Sequence, residues 1–243
     1  MKLRSIGNLL DKEAFVSSIG GTITGFVCDG IDIIYPQKMI GTKLRGGIPI
    51  CFPFFGSPKA RFAKEIPQHG WLRNEELKLI GKSPFTLIFQ GKSQNRKVYP
   101  WHLVYQVVTS LTADALQLKL KVQRLEDGII EDAPVNPAFH PYFNNLGRRA
   151  VRIGSKEISD FGEAKIIPIE NKVLFVDLGK KTIEILLGND FGENTHVALW
   201  SDSNEYFCIE PILNYPDDFD TSRGRHLKQG ESLILSCAIA IQT

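Results

Sequence analysis

The stretch LQLKLKVQ, residues 116–123, reads as a β-strand with one dry face and one wet one. Leu116, Leu118, Leu120 and Val122 alternate with Gln117, Lys119, Lys121 and Gln123. A period of two is what a strand shows when one side packs on a core and the other meets water. Shorter β-prone runs extend outward from it: residues 22–27, 32–35, 85–89 and 103–110 before it, and 183–187, 197–200, 207–210 and 233–241 after it. Turn pairs punctuate them, at Asp29-Gly30, Ser83-Pro84, Asp127-Gly128, Gly188-Asn189 and Gln229-Gly230. No stretch carries the pattern of a three-turn amphipathic helix. Many short strands without intervening helices predict an all-β fold, a large antiparallel β-sandwich rather than a βαβ arrangement. With no linker, repeat or low-complexity segment, residues 1–243 are expected to form a single domain.

Composition narrows the partners. A formal net charge of +2 supplies no long-range field to attract nucleic acid or an anionic membrane. The densest basic cluster, Arg148, Arg149 and Arg152, reads as a solvated edge. The first residues, MKLRSIGNLLDKEAFVSS, lack the apolar centre of a signal peptide, and no run approaches the ~18 apolar residues of a membrane-spanning helix. Cys28, Cys51, Cys208 and Cys237 are scattered, without a C-x-x-C pair. They are expected to be small buried hydrophobes in a reducing, cytoplasmic compartment, and their spacing offers no Cys-ligated zinc site.

Two segments resist the strand reading: residues 44–73, rich in Gly, Pro and aromatics, and residues 136–145. Long irregular segments of a sandwich lie on its face or rim, where binding groups are carried. Within and beyond them stand four short motifs: RGGIPICFPFFG at 45–56, QHGWLRN at 68–74, NPAFHPYFN at 136–144 and CIEP at 208–211. In their order and content these resemble the galactose mutarotase superfamily, and within it the hexose-6-phosphate 1-epimerase branch. The resemblance spans roughly residues 20–241. It implies the superfamily's supersandwich fold and an isomerase that interconverts the α and β anomers of a hexose 6-phosphate, glucose 6-phosphate foremost. Neither metal nor cofactor is implied, and the expected partner is a small-molecule sugar or sugar phosphate bound by a monomer.

The resemblance carries the reaction onto His140 and Glu210. Opening a cyclic hemiacetal needs one group to take the anomeric hydroxyl proton and another to protonate the ring oxygen, which a Glu and a His can do unaided. By alternation Glu210 shares a face with Cys208 and Tyr206, and Pro211 is expected to close the strand and leave Glu210 at its rim. His140 precedes Pro141, which biases it toward extended backbone. Taken alone, they read rather as a structural histidine and a solvated edge carboxylate, and it is the motif that reverses this. His69 and Gln68 receive a supporting role, holding sugar oxygens. Arg45 and Arg73 would grip a phosphate, Arg45 from a Gly46-Gly47 turn able to approach a ligand closely. The plain alternative for both is a surface arginine paired with a carboxylate.

The resemblance implies a sugar-binding aspartate between His140 and Glu210, where this chain reads Glu170-Asn171-Lys172-Val173. Asn171 is the expected substitute, able to hydrogen-bond hydroxyls without charge. Phe52, Phe54, Phe55 and Trp71 are expected mainly in the core, Asp217, Asp218 and Asp220 in a solvated loop, and His102, His196 and His226 carry no assigned role. Competing functions are a 1-epimerase of free hexose, a non-catalytic carbohydrate-binding sandwich, and a glycoside hydrolase. The last requires a second carboxylate across the bond from Glu210.

Overall fold

The computed structural model describes residues 2–9, 11–57, 62, 65–93 and 97–242. Among these residues the chain is almost wholly strand and turn, with helical geometry only in the short 3-10 turns Leu72–Asn74 and Pro216–Asp218. No helix of the described residues is long and apolar enough to cross a membrane.

The alternating stretch that opened the sequence lies within the strand Ala115–Arg124, and its burial alternates as its polarity does. That strand pairs antiparallel with Leu103–Leu111 on one side and Ser232–Ile241 on the other. These three form the middle of a nine-stranded sheet. A second, ten-stranded sheet holds Tyr206–Ile212 near its centre. Leu118, Leu120 and Val122 from the first sheet share one buried cluster with Phe26, Ile33, Phe143, Phe207 and Ile209 from the second. The sandwich read from the sequence is therefore the fold, and the apolar face of each sheet is what holds it together.

Each predicted run falls inside or across an observed strand, while some other strands escape the pattern. Leu3–Leu9, Lys12–Ser17 and the small hairpin Lys38–Ile40/Lys43–Arg45 are examples. The hairpin is a two-stranded sheet apart from both large ones. The four cysteines are free and buried.

One expectation needs correction. Pro211 does not end its strand: the ladder runs on to Ile212, with Val197 opposite Pro211 and Ala198 opposite Glu210. Leu213, two residues on, donates its N–H to Pro137 O. The donor that Pro211 lacks would face that same edge, where the neighbouring chain breaks its ladder at His140-Pro141. Glu210 thus sits inside the sheet rather than at its rim, 2% exposed.

Candidate active site

Along Tyr206–Ile212, Phe207 and Ile209 point into the main core while Tyr206 and Cys208 join a separate aromatic cluster on the other face. Glu210 belongs to that second face by alternation. On one edge the strand is matched by Tyr142–Asn144, with Tyr142 opposite Cys208, and by Ala138 opposite Ile212. Continued across the gap between them, this register puts His140 opposite Glu210. Residues opposite one another in an antiparallel pair project side chains to the same face. His140 Nε2 lies 3.2 Å from Glu210 Oε2. Its ring stacks parallel on Tyr142, with centroids 4.8 Å apart, and its backbone N–H donates to Pro49 O at 2.9 Å.

His69 meets this pair edge-on, its ring 5.4 Å from that of His140. Its backbone has φ +64°, a left-handed conformation uncommon outside glycine. Two bonds hold it: the His69 N–H donates to Gly56 O at 2.8 Å, and the Gly56 N–H donates to His69 Nδ1 at 3.1 Å. A ring that accepts at Nδ1 carries its proton on Nε2. Burial, aided by the positive charge of Arg73, pushes the His69 pKa down to about 3, so the ring stays neutral. Gly70 explains the next letter of the motif. Its φ is +75°, and a Cβ there would lie 1.9 Å from Phe52 O, so the close crossing of these two segments admits only glycine.

The electrostatics of the pair follow from its burial. Desolvation raises the Glu210 carboxyl well above its ordinary range, with Arg73 pulling the other way. Desolvation also lowers His140 well below the usual histidine value, and His69 and Arg73 add to that. Burial thus pushes both groups toward their neutral forms. Despite their proximity the two are not aligned as a hydrogen bond, and both Glu210 Oε2 and His140 Nδ1 are buried without a partner. An unsatisfied buried polar atom costs about 1–3 kcal/mol. Two such atoms in adjacent side chains single out the surface that these residues line.

That surface is the floor of a cavity of about 650 Å³, which Gln68, His69, Arg45 and Arg73 also line. Phe55 lines it as well, 4.9 Å from His69 between ring centroids, while Phe52, Phe54 and Trp71 lie in the core. Arg45 is held at one wall: Nη2 lies 2.6 Å from Asp202 Oδ2, and the guanidinium lies 5.0 Å from the Trp200 ring. The Tyr206 hydroxyl bonds the other oxygen of Asp202. Gly46 and Gly47 are not among the residues that line the cavity. A Cβ on either would strike backbone, Pro36 O at 2.5 Å or Ile23 O at 2.4 Å, so they serve chain crossing instead.

Asn171 is not brought to this cavity. It lies exposed between Lys165–Pro168 and Val173–Asp177, beside a separate hollow of about 160 Å³. Its expected role in holding hydroxyls has no support from its position, because it lines that hollow and not the cavity of His140 and Glu210. Conversely, the sequence reading passed over Lys43, Tyr142, Trp200 and Gln37, which line the cavity. Lys43 stands two residues before Arg45 on one short strand, and Tyr142 two after His140. A period-two projection from either assigned residue reaches the missed one. Among the described lining residues Glu210 is the one carboxylate, so the pair of acids a glycoside hydrolase needs is not assembled here. Asp218 is instead ion-paired with Arg223 at 2.7 Å.

One group of side chains has the make-up of a metal site. His140, Cys208 and Glu210 bring their ligating atoms within 4.8 Å of one another. Cysteine spacing in the sequence gave no hint of this, since the set is assembled across two strands.

A family model described as aldose 1-epimerase matches residues 11–210. Among solved structures, the chain is similar to a galactose mutarotase related enzyme from Lactobacillus acidophilus, at TM-score 0.80 and 18% identity over 100% of this chain and 98% of that one. It is also similar to a putative aldose 1-epimerase from Escherichia coli, at TM-score 0.79 and 16% identity over 99% of both chains. A galactose mutarotase-like protein from Lactobacillus casei matches at TM-score 0.75 and 18% identity, covering 99% of this chain and 100% of that one. At such identities these structures speak to the fold.

Proposed function

The chain belongs to the aldose 1-epimerase family, and from that premise we propose that it interconverts the α and β anomers of a hexose 6-phosphate, with glucose 6-phosphate the preferred substrate. The observation that carries the chemistry is the pair His140 and Glu210, 3.2 Å apart on the cavity floor with unpartnered polar atoms. In this reading one member takes the proton from the anomeric oxygen while the other gives a proton to the ring oxygen. The C1–O5 bond breaks, the open-chain aldehyde turns about C1–C2, and the same transfers run backwards onto the other carbonyl face. Reaction in both directions requires each residue to act both as acid and as base.

The sequence reading made Glu210 the base and His140 the acid. Burial favours the reverse resting state, with the proton on Glu210. The two assignments differ by one proton moved between adjacent groups, and a bound sugar that brings hydroxyls into this dry corner makes the charged state cheaper. Arg73, whose charge favours the ionised form of Glu210, acts in the same direction. His69, a neutral donor from Nε2, suits a sugar oxygen.

The phosphate rests on charge. Lys43, Arg45 and Arg73 line the cavity beside one lining carboxylate that burial pushes toward its neutral form, with Arg45 also paired to Asp202 behind the wall. A dianion is the natural complement of such a set, and charge-assisted bonds to it are worth ~1.5–3 kcal/mol each. The test is anomer exchange by NMR on glucose 6-phosphate and on glucose. The ester should show the higher kcat/KM, with the advantage shrinking as salt is added. Arg45→Ala should cost at least ~10-fold on the ester and leave glucose nearly unchanged. Arg73→Ala should slow both sugars, since its charge reaches His140 and Glu210. Equal losses on both sugars from Arg45→Ala, or a wild type that prefers free glucose, would return the substrate to the unphosphorylated hexoses.

A further inference from the structure

Cys208 takes no part in the chemistry above, yet it stands beside both residues that do. It is two positions before Glu210 on one strand, hence on the same face, and opposite Tyr142, two positions after His140. Sheet register fixes Cys208 and Glu210, and His140 sits in the two-residue gap between paired strands on either side of it. Their ligating atoms, an imidazole nitrogen, a thiol sulfur and a carboxylate oxygen, lie within 4.8 Å of one another. All three side chains are buried, and Glu210 Oε2 has no hydrogen-bond partner.

We propose that His140, Cys208 and Glu210 bind a single thiophilic divalent cation, zinc by the chemistry of the ligand set, and that the ion arrests anomer exchange by occupying the acid–base pair.

Distance supports this. Zinc bonds of about 2.0–2.1 Å to nitrogen and oxygen at tetrahedral angles hold those atoms about 3.3 Å apart. His140 Nε2 and Glu210 Oε2 are 3.2 Å apart already. The sulfur would need to stand about 3.6 Å from each, an inward move of up to about an ångström, and cysteine has one torsion with which to make it. Three protein ligands leave a fourth position for water or a sugar oxygen, as in open zinc sites, and two of the three residues, His140 and Glu210, line the cavity. The mixed sulfur, nitrogen and oxygen set disfavours magnesium and calcium, which seek oxygen alone. No redox step is involved: Zn–S, Zn–N and Zn–O bonds form, and the thiol and carboxyl protons leave to solvent.

The metal site stands on geometry alone; only the inhibition rests on the proposed roles of His140 and Glu210. The test uses the full chain freed of metal by chelation. Calorimetric titration with zinc should give one ion per chain. Cobalt in its place should give a thiolate-to-metal charge-transfer band. Zinc should suppress anomer exchange, and chelator should restore it. Cys208→Ala should lose the cobalt band and bind zinc at least about tenfold more weakly. In chelator it should keep anomer exchange within about twofold of wild type. Cys208→Ser, which preserves shape more closely, repeats the comparison should the alanine variant fold poorly. Failure of zinc to bind, a cobalt complex without the band, or unchanged zinc affinity in the cysteine variants overturns the site. Binding with the band but with undiminished exchange would leave the site standing and remove His140 and Glu210 from the mechanism instead.

Discussion

Phe207 and Glu210 lie three residues apart on one strand, one fully buried and the other nearly so, and they are buried for opposite reasons. Phe207 and Ile209 face the apolar core between the sheets, where removal from water is itself the stabilising event. Glu210 faces outward with Cys208 and Tyr206, toward His140, and there burial leaves polar valences unmet and shifts both ionisable groups toward neutrality. Low exposure alone therefore does not separate core from site. What separates them is whether the buried atoms are satisfied.

The largest effect expected from this contrast is on the core face. Phe207→Ala should lower stability by about 3–5 kcal/mol, the usual loss for a large aromatic in a close-packed core. Anomer exchange per folded molecule should stay near wild type, and urea unfolding beside an active-site-normalised rate measures both. A collapse of the rate in the fraction that is folded would show that the two faces are not independent.

On the site face the balance should reverse. His140→Asn keeps a hydrogen-bonding group without a titratable proton, so exchange should fall by ~10²-fold or more while the unfolding midpoint in urea stays close to wild type. An undiminished rate would make His140 a structural residue. The smallest effect is expected at Asn171, exposed and away from the cavity. Asn171→Ala should change stability by less than about 0.5 kcal/mol and leave kcat and KM where they were. A raised KM would mean that this turn reaches the sugar after all.

The same contrast explains how much could be read from the letters. Alternation in residues 116–123 gave the sheet, because a period of two survives whatever packs on the dry face. It also gave the face of Glu210, because Tyr206, Cys208 and Glu210 cannot avoid sharing one. It could not give the partner. That His140 stands opposite Glu210 depends on a register linking residues some seventy positions apart, which no local pattern encodes. Pro211 misled for a related reason: a missing N–H ends a strand only if something was waiting to accept it, and here the facing ladder had already opened. Asn171 was placed by its order along the chain, and order along a loop says little about where the loop points. Lys43 went unread although it lies two positions before Arg45 on one strand, because that three-residue strand does not announce itself in the sequence. Of the motif glycines, Gly70 proved to be required by a backbone crossing, as were Gly46 and Gly47, which had been expected to approach a ligand.

The most direct test of the central claim is Glu210→Gln, read for rate and stability together. A carboxyl whose folded pKa is raised contributes stability that is present below the ordinary carboxylate pKa and is lost as the pH rises through the raised value. Glutamine has the same shape and no such loss. Anomer exchange on glucose 6-phosphate should therefore fall by ~10²-fold or more. The melting temperature of the variant, relative to wild type, should climb as the pH is taken upward from the ordinary carboxylate range. A variant that exchanges anomers at the wild-type rate, with a melting difference that does not change with pH, would show that Glu210 is neither strained by its burial nor part of the reaction.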